Sequence, residues 1–261
     1  MKIKLIGKNL DDIRPYLEKY GLQEVGADNG MFDMVVAHGG DGTLLLSEYY
    51  YPGMPKLPLR DAGTAPLCAE HSYDRQLSAF ASGDRRTTFL PKLCGEFNGE
   101  RLLGINDVFI HNFDRVGALR YRVWIDGELY ANEVVGDGVG VSTVHGSTAY
   151  YRSITHSIFK VGMGLAFSNS TVEVDHLVVG ENSVIEVEII RGPGILVADN
   201  APRSLSLQVG DRVTIRRSGE SAAIYNLDAF MCPCCRLLRH PNKYEERILC
   251  AALSGRTGEK Q

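Results

Sequence analysis

Long apolar runs are missing from this chain, and so is any surplus of positive charge. No stretch approaches the ~18 uninterrupted apolar residues of a membrane span, which excludes a helical membrane protein. Lys and Arg number 28 against 32 Asp and Glu, for a formal net charge of −4. A general nucleic-acid binder would need a basic face to gain from counterion release, so that class is excluded as well. Internal repeats, low-complexity tracts and linker-like segments are absent from the sequence. The start, Met1-Lys2-Ile3-Lys4-Leu5-Ile6-Gly7, has too short an apolar part for a signal peptide and reads as a first strand. A cytoplasmic protein without a membrane partner is the expectation.

Cysteine is scarce too, at six residues. Cys68, Cys94 and Cys250 stand singly, which suits buried thiols in a reducing compartment. Cys232, Cys234 and Cys235 sit together in Met231-Cys232-Pro233-Cys234-Cys235, with His240 just beyond. Thiolates and an imidazole so close could hold a soft metal. Their spacing matches no common zinc pattern and lacks a second C-x-x-C pair, so no metal ligands are assigned and the thiols are read as packed.

What is present is ordinary globular material. Hydrophobic residues make up 44% and charged residues 23%, and 261 residues suffice for one large or two modest domains. The most informative stretch is Met34-Val35-Val36-Ala37-His38-Gly39-Gly40-Asp41-Gly42-Thr43-Leu44-Leu45-Leu46. An apolar, β-branched run reads as a buried strand, and the glycine-rich turn after it leads into helix-compatible spacing. Strand, tight loop and helix start together turn backbone N–H groups toward an anion. Asp41 would then lie near phosphates, where binding Mg²⁺ or accepting a hydroxyl proton would fit. The plainer reading is a βα turn in which Asp41 or Thr43 caps the helix.

The remaining elements fall into two textures. Leu10 to Leu22 has amphipathic helix spacing, so the first forty-odd residues run β-α-β-α, the order of a parallel sheet with helices on its faces. Lys56 to Asp61 is a third strand, and Ala69 to Ala81 is helical up to Ser82-Gly83-Asp84. Beyond residue 86 strands dominate: Thr87 to Leu90, Lys92 to Phe97, a turn at Asn98-Gly99, Arg101 to Ile110 and Leu119 to Ile125. A turn at Asp126-Gly127 leads to Leu129 to Val135, then Val172 to Val179, Val184 to Ile190, Ile195 to Val197, Leu205 to Leu207 and Arg212 to Arg216. Two packed sheets are expected there. Tyr244 to Leu253 is helical again. The expected division is 1–86, α/β; 87–235, β-rich; and 236–261, a segment that returns to the first domain.

Two further motifs carry chemistry. Asn106-Asp107 interrupts the apolar strand Leu102 to Ile110. It is either a surface alternation or an amide and carboxylate placed for hydroxyls or a base edge. Gly136-Asp137-Gly138-Val139-Gly140-Val141-Ser142-Thr143-Val144-His145-Gly146-Ser147-Thr148-Ala149-Tyr150 offers three close glycines, one carboxylate and a cluster of hydroxyls before a helix. Ser147 or Thr148 could be an N-cap, or the array could bind ribose and phosphate oxygens.

Gly39-Gly40-Asp41-Gly42-Thr43 resembles the GGDGT signature of the NAD kinase family, which is shared with diacylglycerol- and sphingosine-type lipid kinases and, in shorter form, with phosphofructokinases. The Gly136 to Tyr150 block resembles that family's GDG…STPTGSTAY block, with Ser153 where the family has a further serine. The lipid kinases do not carry that block, so the NAD kinase branch is favoured. A G-x-x-x-x-G-K-[ST] loop is also missing, which counts against an ordinary P-loop kinase.

The resemblance implies a Rossmann-like α/β N-terminal domain joined to an all-β C-terminal sandwich, with the site between them. It implies transfer of the γ-phosphoryl of ATP, or of polyphosphate, to the 2′-hydroxyl of the NAD adenosine ribose, with Mg²⁺ accompanying ATP. By the same carry-over Asp41 is the general base, and Gly39, Gly40, Gly42 and Thr43 shape the phosphate loop. Asn106 and Asp107 hold the nucleotide, Asp137 contacts the nicotinamide end, and Thr148, Ala149, Tyr150 and Ser153 line the adenosine pocket. NAD and ATP are the implied partners, and a homo-oligomer, dimer or tetramer, the implied assembly.

Departures from the family pattern concentrate around the loop rather than in it. Asp61-Ala62-Gly63-Thr64-Ala65-Pro66-Leu67-Cys68 stands where the family has Asn-x-Gly-x-Leu-Gly-Phe-Leu. Val135 replaces a basic residue, His145 a Thr or Ser, and Asp199-Asn200-Ala201 a segment such as Asp-Gly-Gln. These changes leave two alternatives: a related phosphotransferase acting on another nucleoside, sugar or lipid hydroxyl, or a nucleotide binder without turnover.

Overall fold

The structure, a computed structural model, describes residues 1–26, 31–114 and 116–239. The expected helix from Tyr244 to Leu253 and His240 lie outside the described residues. The chain forms two compact units, one of Met1–Thr88 with the chain from Ala223 onward, the other Phe89–Ala222.

The first unit runs β1 (Lys2–Gly7), α1 (Leu10–Lys19), β2 (Gln23–Glu24), β3 (Met34–Gly39), α2 (Asp41–Tyr50), β4 (Lys56–Arg60) and α3 (Tyr73–Ala81). β1 pairs in parallel with β2 and β3, and β3 in parallel with β4. All six residues of β3 are buried, as a strand covered on both faces should be. Its Met34 and Val36 pack with Ile3, Leu5, Ile13, Leu17, Leu57, Leu59, Leu77 and Phe80. Each such fully buried side chain contributes about 1.5–3 kcal/mol.

One helix was expected over Ala69 to Ala81, but the segment is divided. Ala69–His71 is a single 3₁₀ turn, and Ser72 then caps α3 by accepting the Arg75 N–H at 3.4 Å. A serine in extended conformation ends one element and starts the next.

The second unit comprises β5 (Thr87–Phe97), β6 (Glu100–Gly104), β7 (Asp107–Asn112), β8 (Leu119–Ile125), β9 (Glu128–Gly136), β10 (Gly138–Ser142), α4 (Tyr150–Thr155), β11 (Met163–Ser168), β12 (Leu177–Val179), β13 (Ile185–Arg191), β14 (Gly194–Ala198), β15 (Leu205–Leu207) and most of β16 (Arg212–Tyr225). One antiparallel sheet is ordered β12-β11-β10-β7-β14-β15. The other contains β16-β13-β8-β9, with the β5–β6 hairpin joined through β16. Leu119, Tyr121 and Val123 of β8 point inward while Arg120 and Arg122 do not, the period of two that a sandwich requires. Val108, Ile110, Val139, Val141 and Leu165 meet them from the opposing sheet. The other face of β7 and β11 is also covered: Phe109 and Ala166 pack against Tyr151 of α4 and Phe159.

Several expected strand limits are corrected. Asn106-Asp107 does not lie within one strand: β6 ends at Gly104 and pairs with β5, whereas β7 starts at Asp107 and pairs with β10 and β14. The chain changes sheets at Ile105-Asn106. Only Leu177–Val179 of the stretch from Val172 is a strand, β16 continues to Tyr225, and β10 and β11 were not anticipated. After β16, whose Ile224 pairs in parallel with Lys56, come α5 (Leu227–Phe230) and α6 (Pro233–Arg239) in the first unit.

Candidate active site

The G-G-D-G-T loop forms the turn from β3 into α2. Gly40 is the helix N-cap, Asp41, Gly42 and Thr43 are its first three residues, and no side chain caps it. Thr43 N–H and Leu44 N–H both return to the Gly40 carbonyl, at 3.0 and 3.2 Å. Gly39 is required by close approach, since a Cβ there would lie 2.3 Å from Thr43 Oγ1 and 3.0 Å from its Cβ. At Gly40 a Cβ would meet only Arg60 Nη1, at 3.8 Å. A ten-residue helix whose uncapped N-terminus follows two glycines is an anion-binding arrangement.

Asp41 is more than half exposed, and buried Arg60 grips it. Arg60 Nη2 donates to Asp41 Oδ1 at 2.9 Å and Nη1 to Oδ2 at 3.3 Å. Its Nε donates to the Phe230 carbonyl at 3.1 Å, and its guanidinium lies 3.7 Å from the centre of the Phe230 ring. This fork fixes the carboxylate's orientation. Arg239, on α6, is electrostatically coupled to both Arg60 and Asp41; burial and then the Arg60 charge draw its pKa below the usual arginine range. Among the described residues its buried Nη1 has no hydrogen-bond partner. Arg60 and Arg239 were not foreseen as site residues. Arg60 lies in an apolar strand and is buried, at 5% exposure.

A polar chain steadies the loop from behind. His38 Nδ1 meets the Lys8 carbonyl at 2.6 Å, and its Nε2 meets Tyr73 Oη at 2.8 Å. Tyr73 Oη accepts the Ala62 N–H at 2.7 Å, so the tyrosine donates to Nε2 and His38 carries its proton on Nδ1. The altered segment after β4 is built around buried Asp61, which accepts from Asn9 Nδ2 and Thr64 Oγ1, each at 2.9 Å, and from Gly63 N–H at 3.0 Å. Burial works to raise the Asp61 pKa, but these three donors outweigh it and hold the carboxyl below the usual range.

The second unit assembles the other predicted residues into two neighbouring groups. The first surrounds the strand break. Asp199 accepts N–H bonds from Ile105 at 2.7 Å, Asn106 at 2.7 Å and Asp107 at 3.1 Å. That is why the backbone leaves the sheet there. The Asn106 carbonyl accepts the Thr143 N–H at 2.8 Å, and a Cβ on Gly146 would come within 2.0 Å of that same oxygen, so only glycine permits the approach. Thr143 and Ser147 spend their hydroxyls on backbone carbonyls of Ile105, Val144 and Phe159. Asn106 Oδ1 and Ser142 Oγ are buried without a partner among the described residues. Burial, then the charge of Asp199, pushes the Asp107 carboxyl up to about 7. Asp199 is itself raised to about 6 by burial, against the pull of its three N–H donors and Lys92.

The second group surrounds a cavity of about 530 Å³ lined by Tyr150, Ser153, Phe167, Ser168, Asn169 and His176 among others. Asp137 is exposed and accepts from Asn169 Nδ2 at 2.7 Å. Tyr150 Oη lies 3.4 Å from Ser168 Oγ, and its ring packs edge-on against Phe109 at 4.8 Å. Thr148 and Ala149 form the turn into α4; Thr148 is exposed, and Ser153 Oγ donates to the Tyr150 carbonyl at 2.7 Å. The structure thus groups Asn106 and Asp107 apart from Asp137, Tyr150 and Ser153, and the Gly146 to Ala149 turn joins the groups.

The fold is thus a parallel α/β unit carrying the G-G-D-G-T turn and a β-sandwich carrying buried polar atoms without partners among the described residues. No protein-family model matches the chain. Among curated proteins, the NAD kinase of Thermomicrobium roseum is 28% identical over 204 residues, covering 72% of this chain and 69% of its own. The NAD kinase of Acinetobacter baylyi is 31% identical over 201 residues, covering 71% and 64% respectively. Of solved structures, an NAD kinase from Archaeoglobus fulgidus in complex with ATP superimposes with a TM-score of 0.70 at 18% identity, covering 88% of this chain and 96% of that one. Yeast NADH kinase complexed with NADH gives 0.72 at 16% identity, covering 100% and 89%. The resemblance to the NAD kinase family therefore holds in sequence and in fold, and the chain is a relative of the NAD kinases.

Proposed function

We propose that the protein is an NAD kinase that transfers the γ-phosphoryl of ATP to the 2′-hydroxyl of the NAD adenosine ribose. The observation that carries this reading is the set of unmet acceptors at the strand break. Asn106 Oδ1 is buried without a donor, and beside it Asp107 has a buried carboxyl for which no donor is found among the described residues. A buried acceptor left unpaired costs about 1–3 kcal/mol, so a ligand rich in hydroxyl and amino donors gains by supplying them. An adenosine ribose is such a ligand. The relatives in characterised and solved form, named as NAD or NADH kinases, support the same substrate.

Asp41 acts as the base. Its carboxylate takes the proton of the attacking hydroxyl as the oxygen bonds to phosphorus and the bond to the ADP leaving group breaks. Arg60 holds the carboxylate in place. The uncapped start of α2 and the free Nη1 donor of Arg239 offer the donor's phosphates N–H groups and positive charge. A loose phosphoryl-transfer transition state asks chiefly for such positioning and charge stabilisation. For Mg²⁺ the loop offers only the Asp41 carboxylate, already gripped by Arg60, which fits a cation that travels on the ATP phosphates rather than one held in a protein cage. When bound, that cation neutralises developing phosphate charge. The reading extends to a cytoplasmic homo-oligomer, for which light scattering on the purified chain is the direct check. Among the described residues no helix is long and apolar enough to cross a membrane.

The test is incubation with Mg-ATP and, separately, NAD, NADH and a panel of hydroxyl acceptors, with NADP(H) and ADP quantified. NADP formation that falls by ~10²–10⁴ in Asp41→Asn is expected. Phosphorylation of another acceptor with no NADP would overturn the substrate, and undiminished turnover in Asp41→Asn would overturn the base.

A further inference from the structure

The cysteines that stand apart in sequence do not stand apart in the fold. The 3₁₀ turn before α3 carries Cys68-x-x-His71, and the start of α6 carries Cys232-x-x-Cys235. Both lie in the first unit. Cys68 Sγ is 3.0 Å from His71 Nδ1 and 3.5 Å from Cys235 Sγ, and Cys235 Sγ is 3.9 Å from His71 Nδ1. With Cys232 included, the four ligand atoms all lie within 4.8 Å of one another. A tetrahedral zinc ion with ordinary bond lengths spaces its ligand atoms about 3.8 Å apart for two sulfurs and about 3.6 Å for sulfur and nitrogen.

We propose that Cys68, His71, Cys232 and Cys235 form a structural zinc site. Three thiols and one imidazole make the closed Cys₃His set that structural zinc takes, and Cys232-x-x-Cys235 has the two-residue spacing common for a zinc-binding cysteine pair. The sulfurs are also solvated by backbone in the way metal thiolates are. The Cys68 N–H donates to Cys235 Sγ at 3.3 Å, and the Cys234 and Cys235 N–H groups donate to the Cys232 sulfur. Such outer-shell donors orient thiolates and offset their charge. A disulfide would use two of the four groups and leave the convergence of the other two unexplained. None of the described cysteines is bridged.

The ion would tie the segment that departs most from the family pattern to the returning end of the chain. Cys232 follows Phe230 and Met231, whose carbonyl and sulfur receive Arg60, and Cys235 sits on the helix that carries Arg239. Zinc at this position therefore braces the residues that receive Arg60, which grips Asp41, and the helix that carries Arg239. This structural role is independent of which hydroxyl the enzyme phosphorylates.

The test uses the full chain, purified without a polyhistidine tag under reducing conditions, with metal measured by plasma mass spectrometry. Close to one zinc per chain is expected, together with thiolate-to-metal absorption when the stripped protein is titrated with cobalt(II). Cys68→Ser and Cys235→Ser should each lose most of the zinc, His71→Cys should keep it, and Cys94→Ser, in the other unit, should keep it too. The cobalt spectrum of the wild-type chain stands even if a serine variant does not fold. A wild-type protein that holds neither zinc nor cobalt overturns the site. So does full zinc retention in the Cys68→Ser/Cys235→Ser double variant.

Discussion

Replacing Asp107 by Asn should stabilise the free protein, and by an amount that grows with pH. The side chain is 8% exposed, and its carboxyl is raised to about 7 by burial and by the Asp199 charge. In the unfolded chain it would ionise near ~3.9. Between those values the folded state holds a proton that the unfolded state releases. Stability from this group is therefore complete below the unfolded pKa and is lost as pH rises through the folded one. Linkage puts the loss at about 2 kcal/mol between about pH 5.5 and about pH 8. An amide at this position has no such dependence, and its fixed packing differences cancel when the two pH values are subtracted. Urea unfolding of wild type and variant at both pH values reads the difference directly. A wild-type-to-variant gap that is flat with pH, or that widens toward acid, would refute the buried-carboxylate reasoning. NAD supplies a second arm: hydroxyl donors to the ionised carboxylate should make wild-type affinity rise through about pH 7, with no such rise in Asp107→Asn.

Two further substitutions probe the frame of the site. Lys56 and Glu48 are both buried, at 0% and 5% exposure, and form an ion pair beneath the end of α2. Lys56→Met should cost about 3–5 kcal/mol in urea unfolding, and Glu48→Leu/Lys56→Met should recover most of it; a single variant as stable as wild type would contradict the pairing. Gly146→Ala would place a Cβ 2.0 Å from the Asn106 carbonyl, so the backbone must part there. The expected loss is about 1–3 kcal/mol of stability with a larger proportional fall in NAD affinity by calorimetry, and unchanged binding would show that the approach is not needed.

Whatever is written in consecutive residues could be read before the fold was known. The G-G-D-G-T turn is a strand, a glycine pair and a helix start within ten residues, so local rules suffice to place Gly39 to Thr43 at a helix N-terminus. The parallel order of the first unit and the alternation of β8 were legible for the same reason. Asn106 was legible as a polar intrusion but not as a break between sheets, because the cause is a carboxylate far along the chain: Asp199 takes the three N–H groups that would otherwise continue the ladder. Arg60 was hidden in an apolar strand. Its importance comes from Asp41 before it and Phe230 long after it, and no spacing encodes either contact.

The segment from Asp61 to Cys68 shows how such long-range causes change the meaning of a departure. Compared with the family pattern it looks like a loss, since little beyond Gly63 is kept, and that loss weakens the inference about the acceptor. In the fold several of the changed positions have an internal use. Asp61 gathers Asn9, Gly63 and Thr64, the Ala62 N–H joins the Tyr73–His38 chain behind the loop, and Cys68 reaches Cys235. None of these side chains is left waiting for a substrate. Among the described residues the unmet acceptors are instead at Asn106 and Asp107, where the family pattern is kept. The Asp61 and Thr64 side chains spend their hydrogen bonds on the protein itself. The departure therefore argues for a different way of bracing the loop.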